Sequence, residues 1–422
     1  MANARKIAVK ALLRVEQDGA YSNLILGQML EETDASKEDK ALASALFYGV
    51  LDRKITLDFY IDKLSKLPCK KLQPLTRQVL RIGIYQLYYM DKIPHSAAVD
   101  EAVKLIKRSG ESRNSGYVNA VLRSAAKERP NLPTGKDLYS LSIRYSCPSW
   151  ILSDIIADYG VETAEEILKV FLLPAKLTLR VNSVKISCDE LFEKLLEIGA
   201  CPEKTDIADS LVIKGGIDFS KNDLYKSGFF HIQDLSSQKC ALSLGVKPGD
   251  RVLDVCASPG GKTFTIAENM NNDGEVVSCD VYDNKVSLIE SGAKRLGLTC
   301  IKPVINDATR YNRALGKFDA VLCDVPCSGF GVIRRKPEIK YKPNDDFGEL
   351  GDIQYRILCV SSRYVKSGGR LVYSTCTLRK AENDRIIEKF LSDNNDFTCE
   401  SMHTNMPSVY SDGFFHAVLV RK

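Results

Sequence analysis

The chain has 422 residues, 44% of them apolar and 27% charged, with a net charge of +5. That is an ordinary globular composition, long enough for two or three domains with well-buried cores. No run approaches the roughly 18 apolar residues of a membrane span, and the opening MANARKIAVKALLRVEQ lacks a signal-peptide core, so a cytoplasmic location with no membrane partner is expected.

Residues 1–140 hold 23 Lys and Arg against 16 Asp and Glu, a local charge of +7 that leaves −2 for the remainder. A basic N-terminal third suits a polyanionic partner, although a solvated helical surface explains the charge equally well. Val118, Val121, Leu122 and Ala125 have the i, i+3, i+4, i+7 spacing of one buried helix face. Val99, Val103 and Ile106 do the same before Gly110, and TRQVLRIGIYQLYYM (76–90) is a further apolar-rich helix. Short polar turns between such helices predict an all-α bundle over 1–140.

The break RPNLPTG (129–135) closes this region. Residues 141–232 read as a small α+β module, with helices after CPSW (147–150) and around DELFEKLLEIGA (189–200) and an extended LTLRVN (177–182) between them. From 233 to 422 short apolar strands alternate with helices. The strands are RVLDV (251–255), EVVSCD (275–280), CIKPVIND (300–307), FDAVLCDVP (318–326), GRLVYSTC (369–376) and a terminal GFFHAVLVRK (413–422). This rhythm predicts an α/β domain with a doubly wound, mostly parallel, Rossmann-like sheet.

CASPGGKT (256–263) follows the first of these strands and opens a helix, where a Gly-rich turn lets backbone amides approach a ligand. Cys256 stands where a P-loop needs its first glycine, and no G-x-G-x-x-G is present, so nucleoside triphosphate and dinucleotide readings recede. S-adenosylmethionine remains, whose adenosine can sit at the carboxyl edge of such a sheet, beside the turn of Cys256, Ala257, Ser258, Pro259, Gly260, Gly261 and Lys262; a structural turn without a ligand is the alternative. Asp280 and Asp307 at the next two strand ends are placed for ribose and adenine contacts; a turn or capping role is the alternative for each.

Two thiols stand out: Cys327 in DVPCSGFGVIRRKPEIKY (324–341) and Cys376 in STCTLRKAEN (374–383). Methylating C5 of a pyrimidine requires a thiolate at C6, because only the resulting enamine makes C5 nucleophilic. It also requires an acid near N3 to stabilise the charge that develops, and Asp324 is the candidate. Arg334, Arg335 and Lys336 could hold a phosphate backbone. Zinc would need about four ligands, and only Cys323, Cys327 and Cys376 gather, so no metal is expected; Cys323 alternates with Asp324 and should face the core. Thirteen scattered cysteines without a C-x-x-C pair also argue against a disulfide framework. Which thiol attacks stays open on the residues alone.

Through CASPGGKT, DVPCSGFGVIRRKPEIK and STCTLRKAEN, joined by GFFHIQDLSSQ (228–238) and DGFF (412–415), the chain resembles the bacterial 16S ribosomal RNA cytosine-C5 methyltransferases of the RsmB (Sun, Fmu) type, usually named for cytosine 967. Its N-terminal helices, including GYVNAVLR, resemble a NusB-type RNA-binding domain. The resemblance implies that Cys376 is the nucleophile, that Cys327 assists product release, and that Cys256 to Lys262, Asp280, Asp307 and Asp324 bind the cofactor. It implies 16S ribosomal RNA, naked or in a partly assembled small subunit, as substrate of a monomer. One departure is Ser258, where family loops more often read Ala. The alternatives are an RNA-binding or ribosome-assembly factor with an inactive methyltransferase fold, or a C5-methyltransferase for another ribosomal or transfer RNA site.

Overall fold

The computed structural model describes residues 4–18, 22–215, 222–342 and 348–422. The chain forms two compact units. One comprises the residues up to Leu172 together with the segment that begins at Ile333; the other comprises Leu173–Val332 and the remainder of the C-terminal part.

The first unit is helical: α1 (Ala4–Asp18), α2 (Ser22–Glu31), α3 (Lys37–Leu64), α4 (Pro74–Tyr89), α5 (His95–Lys107), α6 (Ser115–Lys127), α7 (Leu138–Tyr145) and α8 (Ser149–Phe171). Local chemistry sets several starts. The Ser36 hydroxyl accepts the Asp39 amide ahead of α3, whose first turn carries Glu38 and Asp39, and α4 begins on Pro74. Val118, Val121, Leu122 and Ala125 are all buried, as their spacing predicts. In α5 the buried line is Ala98, Val99, Ala102 and Ile106, with Val103 only partly covered. α8 breaks at Gly160, where φ is +79°.

Sequence periodicity put the start of the middle module near residue 141, yet α7 and α8 pack with the helices before them. The Thr56 hydroxyl donates to the Ile143 carbonyl at 2.5 Å, and the Ile55 amide donates to Ser146 Oγ at 3.0 Å. The returning segment is anchored in the same unit, with Lys340 Nζ donating to the Asp52 carbonyl and the Tyr341 hydroxyl to the Leu51 carbonyl, both at 2.6 Å.

The second unit opens with an antiparallel sheet of β1 (Leu177–Val181), β2 (Cys201–Lys204), β3 (Ser210–Lys214) and β4 (Phe230–Ile232), in the order β2-β3-β1-β4. It packs Leu179, Val181, Leu211, Ile213 and Phe230 against Leu191 and Leu195 of α9 (Cys188–Glu197). Ser187 and Glu190 close a reciprocal capping box at the start of that helix.

After α10 (Asp223–Lys226) and α11 (Leu235–Ser243) come β5 (Arg251–Asp254), α12 (Gly261–Asn269), β6 (Glu275–Asp280), α13 (Asp283–Leu296), β7 (Ile301–Ile305), β8 (Phe318–Asp324), α14 (Leu350–Ser362), β9 (Val365–Thr375), α15 (Asp384–Asp393), β10 (Phe397–Asn405) and β11 (Phe414–Arg421). They build a seven-stranded sheet ordered β10-β11-β9-β8-β5-β6-β7. β5 to β9 run parallel, whereas β11 is antiparallel to β9 and β10 to β11. One face buries Leu253, Val277, Val321, Cys323 and Tyr373; the other buries Val252, Val276, Leu322 and Val372. Strand order reverses between β5 and β8, which makes their carboxyl edge the ligand crevice of a doubly wound sheet.

Candidate active site

Five strand ends converge on this edge. Asp254, the last residue of β5, is fully buried, and its Oδ2 accepts the Thr263 hydroxyl of α12 at 2.7 Å. Burial pushes its carboxyl up to about 7, against the pull of the Thr263 bond. Sequence reasoning passed over this residue, although it occupies the same strand-end position as Asp280. Between β5 and α12 the Ala257 amide donates to the Cys279 carbonyl at 2.8 Å, fixing the loop to β6. Gly260 has φ of +110°, and a Cβ there would lie 2.3 Å from the Phe264 ring, so only glycine permits the turn. Burial raises the Cys256 thiol well above its ordinary value, which makes it a poor nucleophile.

The buried Asp254 Oδ1 and Gln233 Nε2 have no hydrogen-bond partner. Gln233 Oε1 accepts the Thr265 hydroxyl at 2.6 Å, and its Nε2 lies 3.9 Å from where a Cβ on Gly261 would be. Two orphan polar atoms flanking the first turn of α12, a helix start that itself offers unsatisfied amides, fit a polar ligand bearing both charges. Asp280 Oδ1 accepts the Tyr282 amide at 3.3 Å, with Lys285 Nζ at 3.7 Å. Asp307 lies just beyond β7 and accepts the Thr309 hydroxyl (2.6 Å) and amide (2.9 Å), bonds that hold its carboxyl below the usual range.

On β8 and β9, Asp324 sits opposite Ser374. Its Oδ1 accepts the Ser374 hydroxyl at 2.7 Å, and its Oδ2 accepts Lys262 Nζ at 2.8 Å. Burial works to lower the Lys262 ammonium, but the Asp324 carboxylate more than offsets it and the lysine is raised above its ordinary value. The Phe414 ring lies 4.9 Å from the same ammonium.

Beyond these strands the two thiols meet, with Cys327 Sγ 3.2 Å from Cys376 Sγ. The hydrogen bond to Cys376, then burial, hold Cys327 well above the usual thiol value. Such a pair sheds one proton far more readily than two. The loops around it are interlocked. Ser328 Oγ and Thr377 Oγ1 bond at 2.8 Å, the Gly331 amide donates to the Cys376 carbonyl at 3.0 Å, and the Gly413 amide donates to the Gly331 carbonyl at 2.9 Å. A Cβ on Gly331 would fall 1.9 Å from the Gly413 oxygen.

Cys323 is fully buried in the sheet core, and among the described residues no group of three or more His, Cys, Asp or Glu side chains is placed to hold a metal ion. Arg334, Arg335 and Lys336 belong to the first compact unit. Arg334 is only 7% exposed, so the expectation that it offers a surface to phosphate is corrected: the segment turns into the interior there. Arg335 is partly buried and Lys336 exposed.

A family model described as 16S rRNA methyltransferase RsmB/F matches residues 241–418, the NusB family model matches 2–127, and an RsmF/B-like ferredoxin-like domain matches 147–220. A probable ribosomal RNA small subunit methyltransferase B of Bacillus subtilis (strain 168) is 41% identical over 402 residues, covering 94% of this chain and 89% of that protein. The ribosomal RNA small subunit methyltransferase B of Escherichia coli O127:H6 is 32% identical over 434 residues, covering 100% and 99%. Among solved structures, PH0851 superposes with a TM-score of 0.82 at 25% identity over 99% of each chain. A methyltransferase homologue from Pyrococcus horikoshii gives 0.60 at 25% identity over 68% of this chain and 99% of that one.

Proposed function

This chain belongs to the ribosomal RNA small subunit methyltransferase B family, whose members use S-adenosylmethionine, and from that premise we propose that it methylates C5 of a cytosine in 16S ribosomal RNA through a covalent bond to Cys376. The cytosine 967 site is the target that the family resemblance supports. In this reading the helices of 1–140 bind RNA, 141–232 assist them, and 233–422 carry the chemistry. The observation that carries the mechanism is the 3.2 Å separation of Cys327 and Cys376 on the strand edge that also holds the Lys262–Asp324 pair.

When bound, S-adenosylmethionine supplies an electrophilic methyl group. Cys256 to Lys262, Asp280, Asp307 and Asp324 are the residues that would hold it, with the orphan Asp254 and Gln233 atoms beside them. The target base must leave its stack to reach the edge. The Cys376 thiolate adds to C6, and the C5=C6 electron pair becomes available at C5. In this reading Asp324, paired with the Lys262 ammonium at 2.8 Å, is the group that would stabilise the charge developing at N3. With its sulfur bonded to carbon, Cys376 no longer opposes ionisation of Cys327, whose proton passes to solvent. After methyl transfer the Cys327 thiolate takes the C5 proton, the C5–H electrons restore the ring double bond, and the S–C6 pair leaves with Cys376. One proton is released per methyl group.

The test is methylation of 16S ribosomal RNA by the purified full chain, with the position mapped by bisulfite sequencing. Cys376→Ala should abolish methylation and any denaturant-stable protein–RNA adduct, whereas Cys327→Ala should accumulate that adduct. An adduct that persists in Cys376→Ala would disprove the nucleophile assignment.

A further inference from the structure

The residues Glu382 and Asn383 lie six and seven positions beyond Cys376, in a stretch that by composition reads as a solvated turn. In the structure both are buried, and each brackets one thiol. Glu382 Oε2 accepts the Ser328 amide at 2.9 Å and Gln354 Nε2 at 2.8 Å. The same Gln354 amide donates its second hydrogen to the Pro326 carbonyl at 3.0 Å. The peptide groups on both sides of Cys327 are therefore tied, one through its oxygen and one through its nitrogen. Asn383 holds the two neighbours of Cys376 in a different way: its Oδ1 accepts the Thr375 hydroxyl at 2.6 Å and its Nδ2 donates to the Thr377 carbonyl at 3.0 Å.

The orientation of Gln354 is determined by chemistry. Turned over, its oxygen would face the Glu382 carboxylate and the Pro326 carbonyl, two acceptors with no proton between them. Glu382 is itself braced, since the Tyr373 hydroxyl of β9 donates to its carbonyl at 2.7 Å and Arg379 Nη1 stands 3.5 Å from its Oε1. Two adjacent residues on a short turn thus hold two thiols that come from loops after different strands.

We infer that Glu382 and Asn383 are positioning residues with separate assignments: Asn383 aims Cys376 for attack on C6, and Glu382, acting with Gln354, aims Cys327 for the proton removal that frees the enzyme. This rests on the covalent reading above. Neither side chain needs to touch the base. Each acts through a thiol that does, and a misplacement of about 1 Å at a reacting atom costs on the order of 100-fold in rate.

The experiment is pre-steady-state methyl transfer by the full-length protein on 16S ribosomal RNA, with denaturing gels scoring adduct. Glu382→Ala should keep the first methyl transfer close to wild type, lose steady-state turnover by about 100-fold, and accumulate an adduct carrying the methylated base, as Cys327→Ala does. Glu382→Gln retains an acceptor oxygen and should restore turnover. Asn383→Ala should instead slow the first transfer and leave no adduct. Gln354→Leu cuts the same clamp from α14 and serves if Glu382→Ala does not fold, as judged by melting and by binding of S-adenosylhomocysteine. The inference is overturned if Cys327→Ala accumulates adduct while Glu382→Ala or Gln354→Leu lowers both phases equally without one. If Cys327→Ala itself gives no adduct, the covalent reading fails first.

Discussion

Replacing Arg180 by Met should destabilise the second unit far more than loss of a surface charge. Arg180 lies on β1 with its side chain 2% exposed, and its Nε faces Glu268 Oε2 of α12 at 3.6 Å; Glu268 is completely buried. The guanidinium also donates to the Ala208 carbonyl at 2.6 Å and to Asn269 Oδ1 at 3.2 Å. Opposite it, His231 Nδ1 lies 3.3 Å from Glu268 Oε1. Removing the arginine leaves a fully buried Glu268 side chain with His231 as its remaining neighbour, a change that costs about 3–5 kcal/mol. An exposed pair would cost about 1 kcal/mol at most. For a unit of this size each kcal/mol moves the melting temperature by roughly 2–4 °C, so Arg180→Met should lower it by roughly 6–20 °C. Differential scanning calorimetry of the full chain reads this directly. The double variant Arg180→Met with Glu268→Gln removes both charges and keeps an acceptor for His231; it should regain most of the loss. A drop of about 2 °C, or a double variant no better than the single one, would refute the idea that this buried pair secures the cofactor-loop helix to the preceding sheet.

Asp254 sets a pH dependence. Its folded value of about 7 lies above the unfolded carboxylate value, so the folded state holds the proton more tightly, and that stabilisation, complete below about pH 4, fades as pH rises to about 7. The melting temperature of Asp254→Asn relative to wild type should therefore climb across that window, and a constant difference would argue against a buried carboxyl. Gly331→Ala forces a methyl group into the Gly413 carbonyl and, at 2.9 Å, against the Cys376 carbonyl; overpacking of about 1–3 kcal/mol and a methyl-transfer rate reduced on the order of 100-fold are expected, measurable by melting and by single-turnover assay. Lys336→Ala should weaken RNA binding and lower the salt slope by about 1, while Arg334, being buried, should change stability before it changes that slope; filter binding over a salt series distinguishes them.

Much of this architecture was legible because burial leaves a period in the sequence. The parallel strands are short apolar runs between Gly- and Asp-rich turns, and the alternation of Cys323 with Asp324 correctly separates core from edge. β10 escaped because it is an edge strand with almost no apolar pattern; its identity comes from pairing with β11, which is a long-range fact. α7 and α8 look like any other helices, and only bonds such as Thr56 to Ile143 assign them to the first unit. Arg334 belongs to a basic triplet, and charge runs read as surface until the backbone path is known. Glu382 and Asn383 have the composition of a solvent-exposed turn, and nothing local reveals that Gln354, Ser328 and Thr375 wait to bind them. Asp254 was missed for a different reason: it sits inside an apolar run that already explained itself as a strand.

The position of β11 has a consequence for synthesis. It is the last strand made, yet it lies between β9 and β10, and Gly413 at its threshold closes onto the loop that carries Cys327. A ribosome adding about 5–20 residues per second takes roughly 2–8 s to travel from Thr375, the end of β9, to Phe414. Through that interval the nascent chain exposes one long edge of β9 and cannot complete its sheet. Folding of this half is therefore dominated by non-local pairing and should be slow, and catalytic competence should arrive abruptly with the final strand rather than grow with chain length.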